Sequence, residues 1–217
     1  MGDTTRRLTG LTVATAALAA VLTLGAAPSE HASPPDDFGI PATARAAAPG
    51  TLSPATEART SPPPQAQLRH LPQRVLVRDV GLDARVRPVG VTEAGAMSIP
   101  ADPAVAGWYR FGAAPGSSHG SSVLVGHVDS NTGALGEFAA LYDVEPGDTV
   151  EVRRAHAEPA LYRVTARSTV PKGDLPSATF RRSGPPVLTL VTCAPPFLPE
   201  KGGYQANLIV TAEPLAA

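Results

Sequence analysis

Hydrophobic and polar positions alternate in short runs along residues 72–213, with glycine, proline and aspartate interrupting them at close intervals. In Leu161–Arg167, Tyr162, Val164 and Ala166 fall on one face while Arg163, Thr165 and Arg167 fall on the other. That period of two belongs to a half-buried strand. The runs predict strands at Arg74–Val77, Ala84–Pro88, Ser122–Val128, Thr149–Arg154, Ala160–Val170, Val187–Thr192 and Leu208–Ala212. Only Gly133–Val144, GALGEFAALYDV, reads as helical, and it is short. So little helix between so many strands leaves no material for βαβ crossovers. The expected fold class is all-β, a closed or nearly closed β-barrel.

Upstream the pattern changes twice. Arg6 and Arg7 precede an uncharged apolar stretch, Leu8–Ala27, long enough as a helix to span roughly 30 Å, the thickness of a bilayer core. A basic pair followed by an apolar run is an export signal, with the basic end left inside and the remaining chain outside. A retained anchor and a cleaved signal peptide both fit, since small-residue pairs such as Gly25 with Ala27 or Ala44 with Ala46 suit a cleavage site. From Pro28 to Pro72, ten of 45 residues are proline among Ala, Ser and Thr, with no strand or helix period. Such a segment buries too little apolar surface to offset its ordering entropy. The expected organisation is therefore a signal anchor or signal peptide (1–27), an unstructured extracellular stalk (28–71) and a folded domain (72–213). This places the domain outside the cell on a single membrane span, or free in the exterior if the N-terminus is cleaved.

Charge and cysteine usage narrow the chemistry. The 217 residues carry 18 basic and 19 acidic side chains, a formal net charge of −1. That gives no basic stripe of the kind nucleic-acid binding needs. One cysteine excludes an intramolecular disulfide framework, and the five histidines show no metal-ligand spacing with it. No cofactor or metal is expected. Cys193 closes the run VLTLVTC, and Pro195 and Pro196 behind it are expected to end the strand. His127 closes SVLVGHV just before the turn-like DSNTG. Each residue alone fits an inert, partly buried side chain equally well. Together, a thiol and an imidazole at two strand ends suit nucleophilic catalysis, because the thiolate is the nucleophile and a nearby imidazolium favours it.

The segments PADPAVAGWYRFGAAPGSSHGSSVLVGHVDS and TLVTC, with the trailing GGYQANLIVTA, closely resemble the sortases, in particular the class E/F type of high-GC Gram-positive bacteria. The resemblance implies a sortase-like closed barrel of about eight strands and a membrane-tethered cysteine transpeptidase. Such an enzyme cleaves an LPxTG-like sorting motif of exported proteins, holds the acyl group as a thioester, and passes it to a peptidoglycan amine. It implies Cys193 as nucleophile, His127 as the general acid and base, and Thr192 beside the oxyanion and the substrate threonine. Asp129 is placed either to orient His127 or to cap the turn at DSNTG.

The sequence departs from that family at one expected site. Gln205 stands where the resemblance leads one to expect an arginine that binds substrate and oxyanion. Glutamine keeps an N–H donor but has neither the charge nor the fork of arginine. The departure leaves three readings: a slow transpeptidase, one that borrows another cation (Lys201, Arg163, Arg167, Arg181 or Arg182), or a sortase-fold pseudoenzyme that binds sorting motifs or wall components without efficient turnover. Some sortases use calcium, but Lys172–Pro186 holds the single acid Asp174, too few carboxylates for that ion. The apolar residues of this loop, Leu175, Pro176, Ala178 and Phe180, are expected either to line the substrate groove or to pack in the core. Core packing is expected for Trp108 and Tyr109.

Overall fold

A computed structural model of the chain describes residues 33–41, 71–93, 95–130 and 132–215. The apolar run Leu8–Ala27 and most of the stalk lie outside the described residues. Among the described residues no helix is long and apolar enough to cross a membrane.

Eight strands close into a barrel: β1 (Pro72–Val77), β2 (Leu82–Val89), β3 (Val105–Tyr109), β4 (Ser121–Val125), β5 (Thr149–Arg154), β6 (Ala157–Pro171), β7 (Val187–Leu198) and β8 (Gly203–Pro214). They run around it in the order β1-β2-β3-β4-β7-β8-β6-β5. Two neighbouring pairs are parallel, β2 with β3 and β4 with β7, and the others are antiparallel. The expected all-β barrel is what forms. Alternation explains its inside: Leu188, Leu190 and Ala194 of β7 and Ala206, Leu208, Val210 and Ala212 of β8 all enter one core with Trp108, Leu124 and Phe138. Trp108 is fully buried and donates its indole N–H to the carbonyl of Ala113, 3.1 Å away. That bond satisfies the one polar atom of the largest core side chain.

Three elements differ from the sequence reading. β3, VAGWY, carries no alternation because all five of its residues are buried; a strand covered on both faces has no period of two to detect. The expected helix is a 3-10 segment, Glu137–Tyr142. Pro195 and Pro196 do not end β7, which continues to Leu198. Ala194 pairs with Ala206 and Phe197 with Tyr204, so both prolines sit in a bulge opposite Gln205 alone. A bulge leaves residues out of the ladder, and there a missing N–H costs nothing.

Within the stretch whose composition reads as stalk, Ser33–Pro41 is seated on β6. Phe38 and Arg167 exchange backbone hydrogen bonds of 2.9 Å in both directions, and Asp37 Oδ1 accepts from the Thr169 N–H at 2.8 Å. Gly39 has φ +69, and a Cβ there would come within 2.1 Å of the Thr165 carbonyl oxygen, so only glycine fits. Arg167 is 8% exposed. Its guanidinium lies over the Phe38 ring and donates to the carbonyls of Asp36, Tyr142 and Val144. Nine residues with one aromatic are too few to alter a compositional average, which is why this clasp is invisible in it.

Candidate active site

The parallel register of β4 and β7 builds the site. Val125 pairs with Val191, and the Gly126 N–H continues the ladder to the Val191 carbonyl at 3.1 Å. Two residues further along each chain stand His127, just past the end of β4, and Cys193, still within β7. β4 stops at Val125 while β7 runs on. Cys193 therefore lies mid-strand, just beyond the point where β7 loses its β4 neighbour. Thr192 points the other way: it is 1% exposed and its hydroxyl donates to the Gly126 carbonyl at 3.0 Å. It ties the two strand ends together from inside the barrel.

His127 is half-buried, and its Nε2 lies 2.8 Å from the Pro100 carbonyl oxygen. A carbonyl only accepts, so Nε2 carries a hydrogen, and in the neutral ring Nδ1 is the basic nitrogen. The ring's backbone is also held. The Phe138 N–H donates to the His127 carbonyl at 3.2 Å, and the Gly136 N–H donates to Val128 O at 2.9 Å. A Cβ on Gly136 would lie 2.3 Å from the His127 oxygen, so the returning loop passes His127 with no room for a side chain.

Cys193 is free and half-buried. Tyr142 donates its hydroxyl to the Cys193 carbonyl at 3.0 Å, and burial pushes that phenol up to about 12, so it stays a donor at neutral pH. Burial also pushes the Cys193 thiol above its ordinary value; the Lys172 ammonium opposes this, and the Asp129 carboxylate adds to it. The apparent conflict between a nucleophile and a raised thiol pKa has a physical answer, since burial disfavours the isolated thiolate until a cation or substrate accompanies it.

The Asp129 carboxylate is engaged away from His127. Its Oδ2 accepts from Tyr204 OH at 2.6 Å, joining the loop after β4 to the start of β8. Burial, followed by this bond to a carboxylate, raises the Tyr204 phenol. The Phe197 ring packs edge-on against Tyr204 with centroids 4.9 Å apart.

Gln205 lies on β8 two residues from Asn207, the partner of Cys193, and shares its face. Its Nε2 donates to its neighbour Gly203 O at 2.6 Å. The cations proposed from sequence divide clearly. Arg167 is spent on backbone carbonyls, Arg181 donates to Ser183 O, Lys201 sits in the 3-10 turn Pro199–Lys201 beyond β7, and Arg163 pairs with Glu213 and Thr149 at the far end of β6. Arg182 is exposed. Lys172, which sequence reasoning passed over, is the cation that bears on Cys193. Its proximity comes from strand register and has no local sequence signal.

Beside Cys193 the outer face of the barrel carries an apolar cluster: Tyr109, Val123 and Val191, with Val91, Met97, Phe111 and Phe180 packed on it. Phe180 meets Tyr109 edge-on at 5.2 Å. Phe180 thus packs on the outside wall, as does Tyr109, while Trp108 belongs to the core. Among the described residues no group of three or more His, Cys, Asp or Glu could hold a metal ion.

The eight-stranded closed barrel carries Cys193 on β7 and His127 just past β4, its parallel neighbour, and the sortase domain model matches residues 76–215. The chain belongs to the sortase family. It is similar to sortase C-1 from Actinomyces oris (21% identity, TM-score 0.52, covering 66% of this chain and 73% of that one). It is also similar to the Pilus Island 1 sortase C2 of Group B Streptococcus (21% identity, TM-score 0.53, covering 73% and 84%). A third likeness is to a lid mutant of sortase A from Corynebacterium diphtheriae (20% identity, TM-score 0.50, covering 66% and 69%). No curated protein matches the chain.

Proposed function

We propose that the chain is a sortase-type cysteine transpeptidase acting on exported proteins with an LPxTG-like C-terminal sorting signal and on a peptidoglycan precursor amine. The observation that carries this is the parallel β4–β7 register, Val125 opposite Val191, with His127 and Cys193 each two residues further along its chain. The Cys193 thiolate attacks the threonyl carbonyl carbon, and the carbonyl electron pair moves onto oxygen. Collapse expels the glycine amine, which takes a proton from the His127 imidazolium, and a thioester remains. The acceptor amine then attacks the thioester, gives its proton to His127, and the thiolate leaves. Thr192 keeps the two strand ends in register, and the apolar wall around Phe180 suits a Leu-Pro segment. Leu8–Ala27 serves as the membrane tether, holding the barrel outside the cell. The motifs VGHVDS and TLVTC support the class E/F type within the family.

A second reading has one observation behind it. Gln205 is neutral and turned to Gly203 O, which suits a sortase-fold pseudoenzyme that holds sorting motifs without efficient turnover. The full-length chain, given a quenched LPxTG peptide and triglycine, is expected to release the fluorophore and form the peptide–triglycine conjugate, with Cys193→Ala inactive. Binding of the peptide without conjugate would favour the pseudoenzyme; neither binding nor turnover would overturn both.

A further inference from the structure

A developing oxyanion is stabilised by donors aimed at it, losing one such donor costs about 10²–10³ in kcat, and charge-assisted donors are the stronger kind. Gln205 supplies no charge. In the barrel β8 lies between β6 and β7, so the residues facing Cys193 across β8 can be read from register. Cys193 pairs with Asn207, which pairs with Val170; Ala194 pairs with Ala206, which pairs with Pro171. One residue further, the chain leaves β6 at Lys172 and enters the 3-10 turn Lys172–Asp174. Lys172 is thus the next residue after the Pro171–Ala206 pair, at the end of β8 where Gln205 and Asn207 share the outward face with Cys193 of β7. Two strand spacings of about 4.8 Å separate β6 from β7, a gap that a flexible four-carbon stem largely crosses. Lys172 is exposed, and among the described residues no carboxylate pairs with it, its turn-mate Asp174 included.

We propose that Lys172 is a catalytic residue, the cation that accompanies the Cys193 thiolate and then the oxyanion of the tetrahedral intermediate in place of a charge at position 205. It remains an ammonium throughout and transfers no proton. The charge environment of the thiol agrees: Lys172 favours the thiolate, while burial and Asp129 oppose it. The other titratable groups around Cys193 are His127, Tyr142 and Tyr204. The role in oxyanion binding rests on the transpeptidase reading above; the role at the thiol does not.

The test uses the full-length wild type, Lys172→Met, Lys172→Arg and Lys172→Met with Gln205→Arg. Iodoacetamide alkylation of Cys193 across pH, without peptide, reads the thiol alone; conjugate formation from LPxTG peptide and triglycine reads the reaction. Lys172→Met is expected to slow alkylation at neutral pH about fivefold and move its profile to higher pH, and to lower turnover about 10²-fold. Lys172→Arg should retain both, and Gln205→Arg should restore turnover to the methionine variant. An alkylation profile for Lys172→Met that superimposes on wild type would overturn the assignment, as would unimpaired turnover. If the profile shifts as expected but wild type forms no conjugate, Lys172 stands as the partner of the thiol and the sorting reading fails.

Discussion

Gly136→Ala isolates the positioning of His127 from every group that does chemistry. A Cβ at 136 would lie 2.3 Å from the His127 carbonyl oxygen and 3.2 Å from the His127 Cβ, against an ordinary contact of at least 3.4 Å. Gly136 cannot retreat, because its N–H is held by Val128 O at 2.9 Å and Phe138, two residues on, is 1% exposed in the core. The displacement of about 1 Å therefore falls on His127, and a misplacement of that size costs on the order of 10² in rate. The strain is an overpacking of about 1–3 kcal/mol, with the Phe138 N–H bond to His127 O weakened as well. For a barrel of this size that corresponds to a melting temperature lowered by roughly 5 °C, leaving the protein folded at room temperature. The assay is conjugate formation by wild type and variant, with thermal melts in parallel. The expected result is a loss of about a hundredfold in kcat with a modest loss of stability. A variant that melts as predicted but turns over within about threefold of wild type would refute the idea that this loop fixes the imidazole.

Other consequences can be measured independently. Arg167→Met leaves the carbonyls of Tyr142 and Val144 without their donor and frees the Asp36 segment; two buried unsatisfied acceptors should cost about 3 kcal/mol in denaturant unfolding, and a loss under about 0.5 kcal/mol would contradict the account. Because burial raises the Cys193 thiol, the thiolate gains only as pH rises past the ordinary thiol value of about 8.5. Alkylation of the free chain should accordingly keep rising through that pH, and a plateau below about pH 7.5 would show the sign to be wrong. Tyr204→Phe removes the 2.6 Å bond to Asp129. It should loosen the His127 loop and lower turnover by about tenfold while leaving the fold intact by circular dichroism; unchanged kinetics would assign that bond to stability alone.

Much of the barrel was legible because β2, β5 and β6 expose alternate residues, while β4 and the first half of β7, though buried throughout, are runs rich in Val and Leu. β5 and β6 alternate visibly, and their predicted spans fall within or on the observed ones. β3 was lost because it is buried throughout, with no alternation, and its VAGWY, unlike the Val- and Leu-rich β4, has Ala and Gly in place of a continuous β-forming run. β7 was cut short at Cys193 since proline is an honest stop in a paired strand, and only the partner register reveals the bulge that tolerates it. At the site, Cys193 and His127 were readable as chemistry-bearing types at the ends of apolar runs, and their juxtaposition follows from a parallel pairing between segments about sixty residues apart in sequence. Lys172 and Tyr204 were not readable. Each acts through register or through a contact across the barrel, and a surface lysine at a strand end carries no local mark of that role.

The central claim is that Cys193 carries the acyl group, and intact-mass spectrometry of the full-length chain tests it most directly. Incubated with an LPxTG peptide without an amine acceptor and quenched in acid, the wild type should gain the mass of the acyl fragment ending at threonine. Hydroxylamine should remove the adduct, peptide mapping should place it on Cys193, and Cys193→Ala should lack it. Cleavage of the peptide with no adduct, or with cleavage retained in Cys193→Ala, would contradict the account.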